Sequence, residues 1–273
     1  MRIAAVLFST LFPVAGALPA ASHEFWISPH NYIIGPEDQL VADIRVGPNF
    51  SGPPYPYIPQ LIERFGLLMG ESETPVEGRA GDLPAMSVVP PKEGLAVIVH
   101  QSVDDLVIYS NAEEYAEFEE FARQKGFPWA IGEHAARGLP ETGFAERYSR
   151  YAKSLVAIGH GRGSDRATGL LTEIVAEANP YTEDLSAGLP IRALYRNAPR
   201  ADAQIVVFAR DASGRIETAR YRTDALGRAT VLVEAGTEYL LDSVVMRAVT
   251  PRGENDPVWE SLWASLTFRM PAK

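Results

Sequence analysis

Apolar and polar residues alternate soon after the first two dozen positions. In "DQLVADIRV", Leu40, Ala42, Ile44 and Val46 share one face, while Gln39, Asp43 and Arg45 face or flank the other. Period two predicts a half-buried strand. "GPNFSGPPYPYIP" follows, with five prolines from Pro48 to Pro59. It reads as a loop, because proline lacks the donor that a strand ladder needs. "LAVIVH" and "DLVIYS" are short β-rich runs separated by "QSVD", and they read as a hairpin.

The period then changes. "NAEEYAEFEEFARQKG" places Tyr115, Phe118 and Phe121 three apart with acids between them. Asn111 is placed to cap this helix and Gly126 to end it. "PETGFAERYSRYAKSLVAIG" spaces Phe144, Tyr148, Tyr151 and Leu155 as one stripe and predicts a second helix, closed by "GHGRGSD". Together they make a helical insertion over about 111–159. The three glycines of "GHGRGSD" lack the spacing of a phosphate-cradling loop, so a chain-turning loop with solvated Arg162 and Asp165 is expected.

After Thr168 the pattern is β again. "LLTEIVAEANPY" is a strand running into an Asn-Pro turn. Five or six short strands follow, with turns at "RNAPRA", "DASGR", "DALGR" and "EAGT", roughly ten residues apart as in a β-sandwich. In "PVWESLWASLTF", Trp259 and Trp263 precede a last strand near Ala264, and their bulk predicts core packing. The fold class is therefore mainly β: two β-sandwich domains, the first with a helical insertion. The N-terminal domain spans 23–180 and the C-terminal sandwich 186–273.

The first 22 residues read as a secretory signal peptide. Arg2 gives the positive start, Ile3 to Leu18 the apolar core, and Ala20, Ala21 and Ser22 the small-residue cut site. The mature chain is expected in the periplasm or secreted, and no later stretch is long and apolar enough to span a membrane. The 273 residues contain no cysteine, which excludes disulfides and thiolate metal sites, and carry a net charge of −10. That charge argues against nucleic acid and anionic membrane surfaces.

No G-x-S-x-G motif is present, and the paired acids Glu113-Glu114 and Glu119-Glu120 read as a solvated helix face. The chemistry left is metal binding through histidine: His23, His30, His100, His134 and His160. Cleavage after Ala21 or Ser22 leaves His23 at or next to a free α-amine. Amine and imidazole can then chelate one ion, and a second histidine would complete a set suited to Cu(II) or Ni(II). His100 ends a predicted strand and is the candidate second ligand, although a packed strand-end histidine reads equally well. His30 is the third candidate or simply exposed. His134 is expected at the surface.

"HEFWI" behind the leader, "ERYSRYAKSLVAIG", "EANPY", "LPIRALYRNAPRADAQIVVF", "TDALGRATVLVEAGTEYLL" and "WESLWASLTF" together resemble the DUF4198 family, related to NikM-like nickel-uptake proteins. The C-terminal part also resembles transthyretin-like or CnaB-like Ig modules. The resemblance implies an exported, non-enzymatic protein that binds a divalent metal, Ni(II) or Co(II), and serves a membrane metal transporter. His23 is the one residue that the resemblance carries over. Two alternatives remain open. One is a carbohydrate- or peptide-binding module using the aromatic, proline-rich loop. The other is a copper enzyme with a histidine brace.

Overall fold

The computed structural model describes residues 23–253 and 255–272. The leader and its cut site lie outside the described residues. The chain runs through β1 (Glu24–Pro29), β2 (Ile33–Ile34), β3 (Leu40–Gly47), β4 (Pro54–Tyr55), β5 (Ile62–Met69), β6 (Ser72–Pro75), β7 (Met86–Val88), β8 (Gly94–Ser102) and β9 (Asp105–Tyr109). Two helices follow, α1 (Ala112–Gln124) and α2 (Trp129–Ala136), and then β10 (Phe144–Ile158) and β11 (Thr172–Ala176). The rest is β12 (Leu189–Tyr195), β13 (Ala198–Pro199), β14 (Gln204–Arg210), β15 (Ile216–Arg222), β16 (Arg228–Val231), β17 (Glu238–Ala248) and β18 (Trp259–Arg269).

The fold is mainly β, with three sheets and a short helical insertion. A ten-stranded central sheet has the order β15-β14-β17-β18-β10-β8-β5-β6, with β2 and β9 pairing along β10. Strands from both sides of the 180–188 segment therefore share one sheet. The junction is the parallel pair of β10 and β18, in register from Glu146 opposite Trp259 to Ser154 opposite Thr267. A four-stranded sheet of β1, β3, β4 and β7 covers one face, and another of β11, β12, β13 and β16 covers the opposite face. Alternation along β8 shows both coverings. Leu95, Val97 and Val99 pack with Ile174, Ile191 and Leu266, whereas Ala96 and Ile98 pack with Ile27, Leu40 and Met86.

That double covering corrects the second helix. Residues 144–158 form a fifteen-residue strand, and the helical insertion ends at Ala136. Both faces of β10 are buried, so the polar-out half of the alternation is missing and the aromatic spacing imitates a helix. Tyr148 and Tyr151 consequently do not share a stripe. Tyr148 packs under the helices, and Tyr151 packs with Leu170 and Leu262. The β8–β9 hairpin is also corrected: the two strands pair not with each other but with opposite ends of β10. The last strand begins at Trp259, five residues earlier than expected.

Helix α1 forms as its sequence dictates. The Asn111 side chain accepts hydrogen bonds from the Glu113 and Glu114 amides, each at 3.0 Å, which satisfies two orphan donors of the first turn. Phe118 and Phe121 then pack on Trp259 and Trp263 of β18. His134 of α2 is buried, not at the surface. Trp259 Nε1 donates to its Nδ1 at 3.0 Å, so Nε2 carries the proton and donates to the Pro140 carbonyl at 2.9 Å. The histidine is a bridge between helix and sheet.

Polar groups on β10 are answered within the protein. Lys153, fully buried, contacts Asp165 at 2.8 Å and Glu173 at 3.5 Å and donates to the Arg166 carbonyl. Asp165 is thus no solvated loop charge. It also accepts from the Ala176 amide, and Glu173 accepts from the Thr168 amide and hydroxyl. Lys153→Ala would leave two buried carboxylates without their cation. It is expected to cost about 3–5 kcal/mol in urea unfolding, the range for breaking a buried ion pair from one side. A loss below about 1 kcal/mol, the range of an exposed pair, would place these charges in water instead.

Candidate functional site

The N-terminal end of β1 is tied down by charge. Glu24 is buried and accepts from Lys125 at 2.8 Å and from the Asn49 amide at 2.8 Å. Lys125 also donates to buried Asp242 at 2.7 Å, and its ammonium lies 4.7 Å from the centre of the Trp263 ring. This places His23 between the end of α1 and the 48–50 turn, in a depression that Glu117 and Glu120 also line. Burial lowers the His23 pKa, and nearby Arg150 lowers it further against the opposing pull of Glu24. Glu117 shifts the other way, raised by burial and by Glu113 and Glu114.

A second, deeper site lies behind it. Arg150 on β10 is buried. It donates to the His23 carbonyl at 3.2 Å and stands over the rings of Tyr148 at 5.1 Å and Phe25 at 5.5 Å. His100 is 2% exposed and packs 5.0 Å from Phe25 and 5.3 Å from Phe65, ring centre to ring centre. Its Nδ1 has no hydrogen-bond partner. Burial pushes the imidazole pKa down to about 3, so the ring stays neutral at ordinary pH. Arg150 and His100 both line a cavity of about 220 Å³. Its outer walls are Ile44 and Val46 of β3 and the proline-rich loop through Tyr55, Ile58 and Leu61.

The three candidate histidines are not gathered at one point. His23 and His30 flank β1 at its two ends, and a strand rises about 3.3 Å per residue, so they stand roughly 20 Å apart. His30 is half-exposed and lies 3.4 Å from Asp43, which also pairs with Arg45 at 2.8 Å. Among the described residues, no three His, Asp or Glu side chains converge closely enough to hold a metal ion. His160 caps its own turn, accepting from the Arg162 amide.

Sequence reading missed Arg150, Lys125 and Glu24. One signal was present: "YSRYAKSLV" sets an arginine and a lysine inside an aromatic and aliphatic run. In a strand covered on both faces such residues must be paired internally.

A family model described as "Domain of unknown function (DUF4198)" matches residues 20–247, and the chain belongs to that family. No curated protein matches it. Among solved structures it is 8% identical, with a TM-score of 0.20, to a tetra-tandem repeat in the extending region of a large adhesion protein, covering 90% of this chain and 49% of that one. It is 11% identical, with a TM-score of 0.24, to a Salmonella alpha-2-macroglobulin mutant, covering 93% of this chain and 15% of that one. The chain thus spans half or less of these structures, and TM-scores this low carry no argument. No helix among the described residues is long and apolar enough to cross a membrane.

Two buried groups give the site region opposite responses to acid. Unfolded His100 takes up a proton near pH 6.5, but the folded ring resists until about pH 3. Its contribution to stability is therefore lost as pH falls through that window, by about 1.4 kcal/mol per pH unit. Glu146 on β10 accepts from Tyr109 at 3.0 Å and from Ser261, and burial pushes its pKa up to about 7. Its contribution is present at low pH and is lost as pH rises from 4.5 to about 7. In denaturant titrations over this range, His100→Gln should gain stability relative to wild type as pH falls, and Glu146→Gln as pH rises. Curves that stay parallel to wild type would show that neither group is held in its neutral form.

Proposed function

We propose that this member of the DUF4198 family is an exported, periplasmic or secreted, non-enzymatic binding protein for a divalent metal ion. The ion is bound at His23 and passed to a membrane metal transporter. The observation that carries the reading is the state of His23. Burial lowers its pKa, which favours the neutral imidazole that coordinates metal, and the ring sits at the edge of a depression lined by Glu117 and Glu120. Lys125 holds Glu24 and Arg150 holds the His23 carbonyl, so the backbone that carries the ring is anchored.

Side chains alone do not supply a ligand set, so the reading requires the α-amine that leader cleavage would release next to His23. Amine and imidazole nitrogens suit Ni(II), Co(II) or Cu(II) better than Mg(II) or Ca(II). The NikM-like assignment and the transthyretin-like C-terminal module belong to the same proposal, as does the division into two domains.

The test is calorimetric titration of Ni(II), Co(II), Cu(II) and Zn(II) into correctly processed protein. His23→Ala should abolish tight binding, and one extra N-terminal residue should weaken it by about tenfold or more. Affinity should fall from pH 8 to pH 6, because metal must displace a proton from an amine of pKa about 7.7–8.0. Unchanged binding in His23→Ala would remove the site, and equal affinity for both termini would remove the chelate.

A further inference from the structure

The strand edges of the central sheet are protected to different degrees. β15 closes one end and exposes Glu217, Arg220 and Arg222. β6 closes the other, is four residues long and stops at Pro75. Charge, proline and short length keep an edge from pairing with other chains. β9 has neither charge nor proline in its middle. Between Asp105 and Tyr109 it reads Leu106-Val107-Ile108, and Leu106 and Ile108 are 51% and 59% exposed. One edge of β9 is taken by β10, and among the described residues no other strand pairs with it. The proline-rich loop is the reason. β5 follows the outer edge of β8 as far as Ile62 opposite Ser102, and the Val103 amide still donates to the Leu61 carbonyl at 3.1 Å. At Pro59–Leu61 the backbone is a 3-10 turn instead of a strand, and the pairing goes no further along β9.

The cavity adjoins that open edge. Val103 and Asp105, where β9 starts, line it together with Ile44, Val46, Ile58 and Leu61. Its polar groups are closed to an occupant. Arg150 holds the His23 carbonyl and the Tyr148 hydroxyl oxygen, and the His100 Nδ1 is enclosed. Asp105 accepts from the Tyr148 hydroxyl and from the Leu106 amide, each at 2.8 Å. Ser102 donates to the Val103 carbonyl and accepts from the Arg150 amide. What the cavity offers is hydrocarbon. Its volume of about 220 Å³ is below the roughly 300 Å³ at which small-molecule pockets begin, and suits one large side chain. An open strand edge beside a socket for one side chain is the arrangement that binds an extended peptide.

The occupant is not a second copy of this chain. Val107 and Tyr109 of a second β9 are packed beneath their own helices, and Leu106 and Ile108 project from the other face, so that strand has no side chain free for the socket. Two copies would also bring −10 against −10. Asp104 and Asp105 at the start of β9 add to the negative field, and the Asp104 side chain is 57% exposed. A basic partner fits.

We propose that the outer edge of β9 binds an extended, basic segment of another protein as an added strand, with one large aliphatic side chain of that segment in the cavity. Main-chain hydrogen bonds along β9 supply affinity, and the socket supplies selection for the side chain. The proline-rich loop then has two roles: it leaves the edge uncovered and it walls the socket.

The probe is the blocked peptide acetyl-Lys-Thr-Leu-Thr-Val-Lys-amide, titrated calorimetrically into metal-free protein, with the backbone amides followed by NMR. It should bind with a Kd of about 0.1 mM, and its leucine-to-alanine analogue about tenfold more weakly. Acetyl-leucine-amide, which enters the socket but brings no strand, should also bind at least about tenfold more weakly than the peptide. Amide resonances of β9 should shift, while those of β15 stay in place. The double variant Leu106→Lys, Ile108→Lys gives β9 the kind of charge that β15 carries. It should keep the circular dichroism of wild type and lose the peptide. If it does not fold, the comparison of peptide with acetyl-leucine-amide and the β9 resonances in wild-type protein decide the question. No binding at about 1 mM peptide, equal affinity for peptide and acetyl-leucine-amide, unmoved β9 resonances, or binding that survives the two lysines would each overturn the proposal. So would a concentration-dependent dimer that the two lysines abolish, because β9 would then pair with itself. None of these readings depends on His23 or on metal, so the two proposals stand or fall separately.

Discussion

The structure depends on one strand having no side that faces water. β10 is paired on both edges and covered on both faces. Every buried polar side chain it carries must therefore find its partner inside the protein, and most partners come from other elements. Glu146 draws in Tyr109 of β9 and Ser261 of β18. Arg150 holds the His23 carbonyl, and Lys153 holds the 165–173 segment through Asp165 and Glu173. The cost of burying these groups is offset only when all the segments are in place. That makes the polar contacts a specification of topology more than a source of net stability.

The same strand decides how much could be read from sequence. β3 was legible because one of its faces is open and the alternation survives. Helix α1 was legible because its cap and its apolar stripe are local signals. β10 was not, because burial on both sides removes the polar half of the pattern, and β18 was legible only from about Ala264 onward. His134 and Asp165 were misplaced for a related reason. His134 is buried against Trp259, 125 residues away, and Asp165 against Lys153, twelve residues earlier on another element, and no local pattern reports either partner. Of the candidate site, the position of His23 and the strand-end position of His100 were visible. Arg150 could have been suspected as a cation within an aromatic run, but its closeness to both histidines is a product of strand pairing.

Strand geometry also separates two chemistries that the sequence seemed to merge. A strand long enough to cross the small sheet places His23 and His30 at opposite ends. The residues on β8 and β10 turn His100 and Arg150 toward an apolar cavity. His23 faces acids and solvent, and His100 faces hydrocarbon.

The parallel register of β10 and β18 has a consequence for how the molecule comes into being. Partners across that ladder are 113 residues apart in the chain. A chain that emerges from the ribosome or crosses a membrane in sequence order presents β10 long before its central neighbour exists. Through that interval the edge of β10 that β18 will cover is open, a template for pairing with other chains. Contacts of this span form slowly. The nascent chain therefore needs shelter, or delay, until the strand beginning at Trp259 arrives to close the sheet.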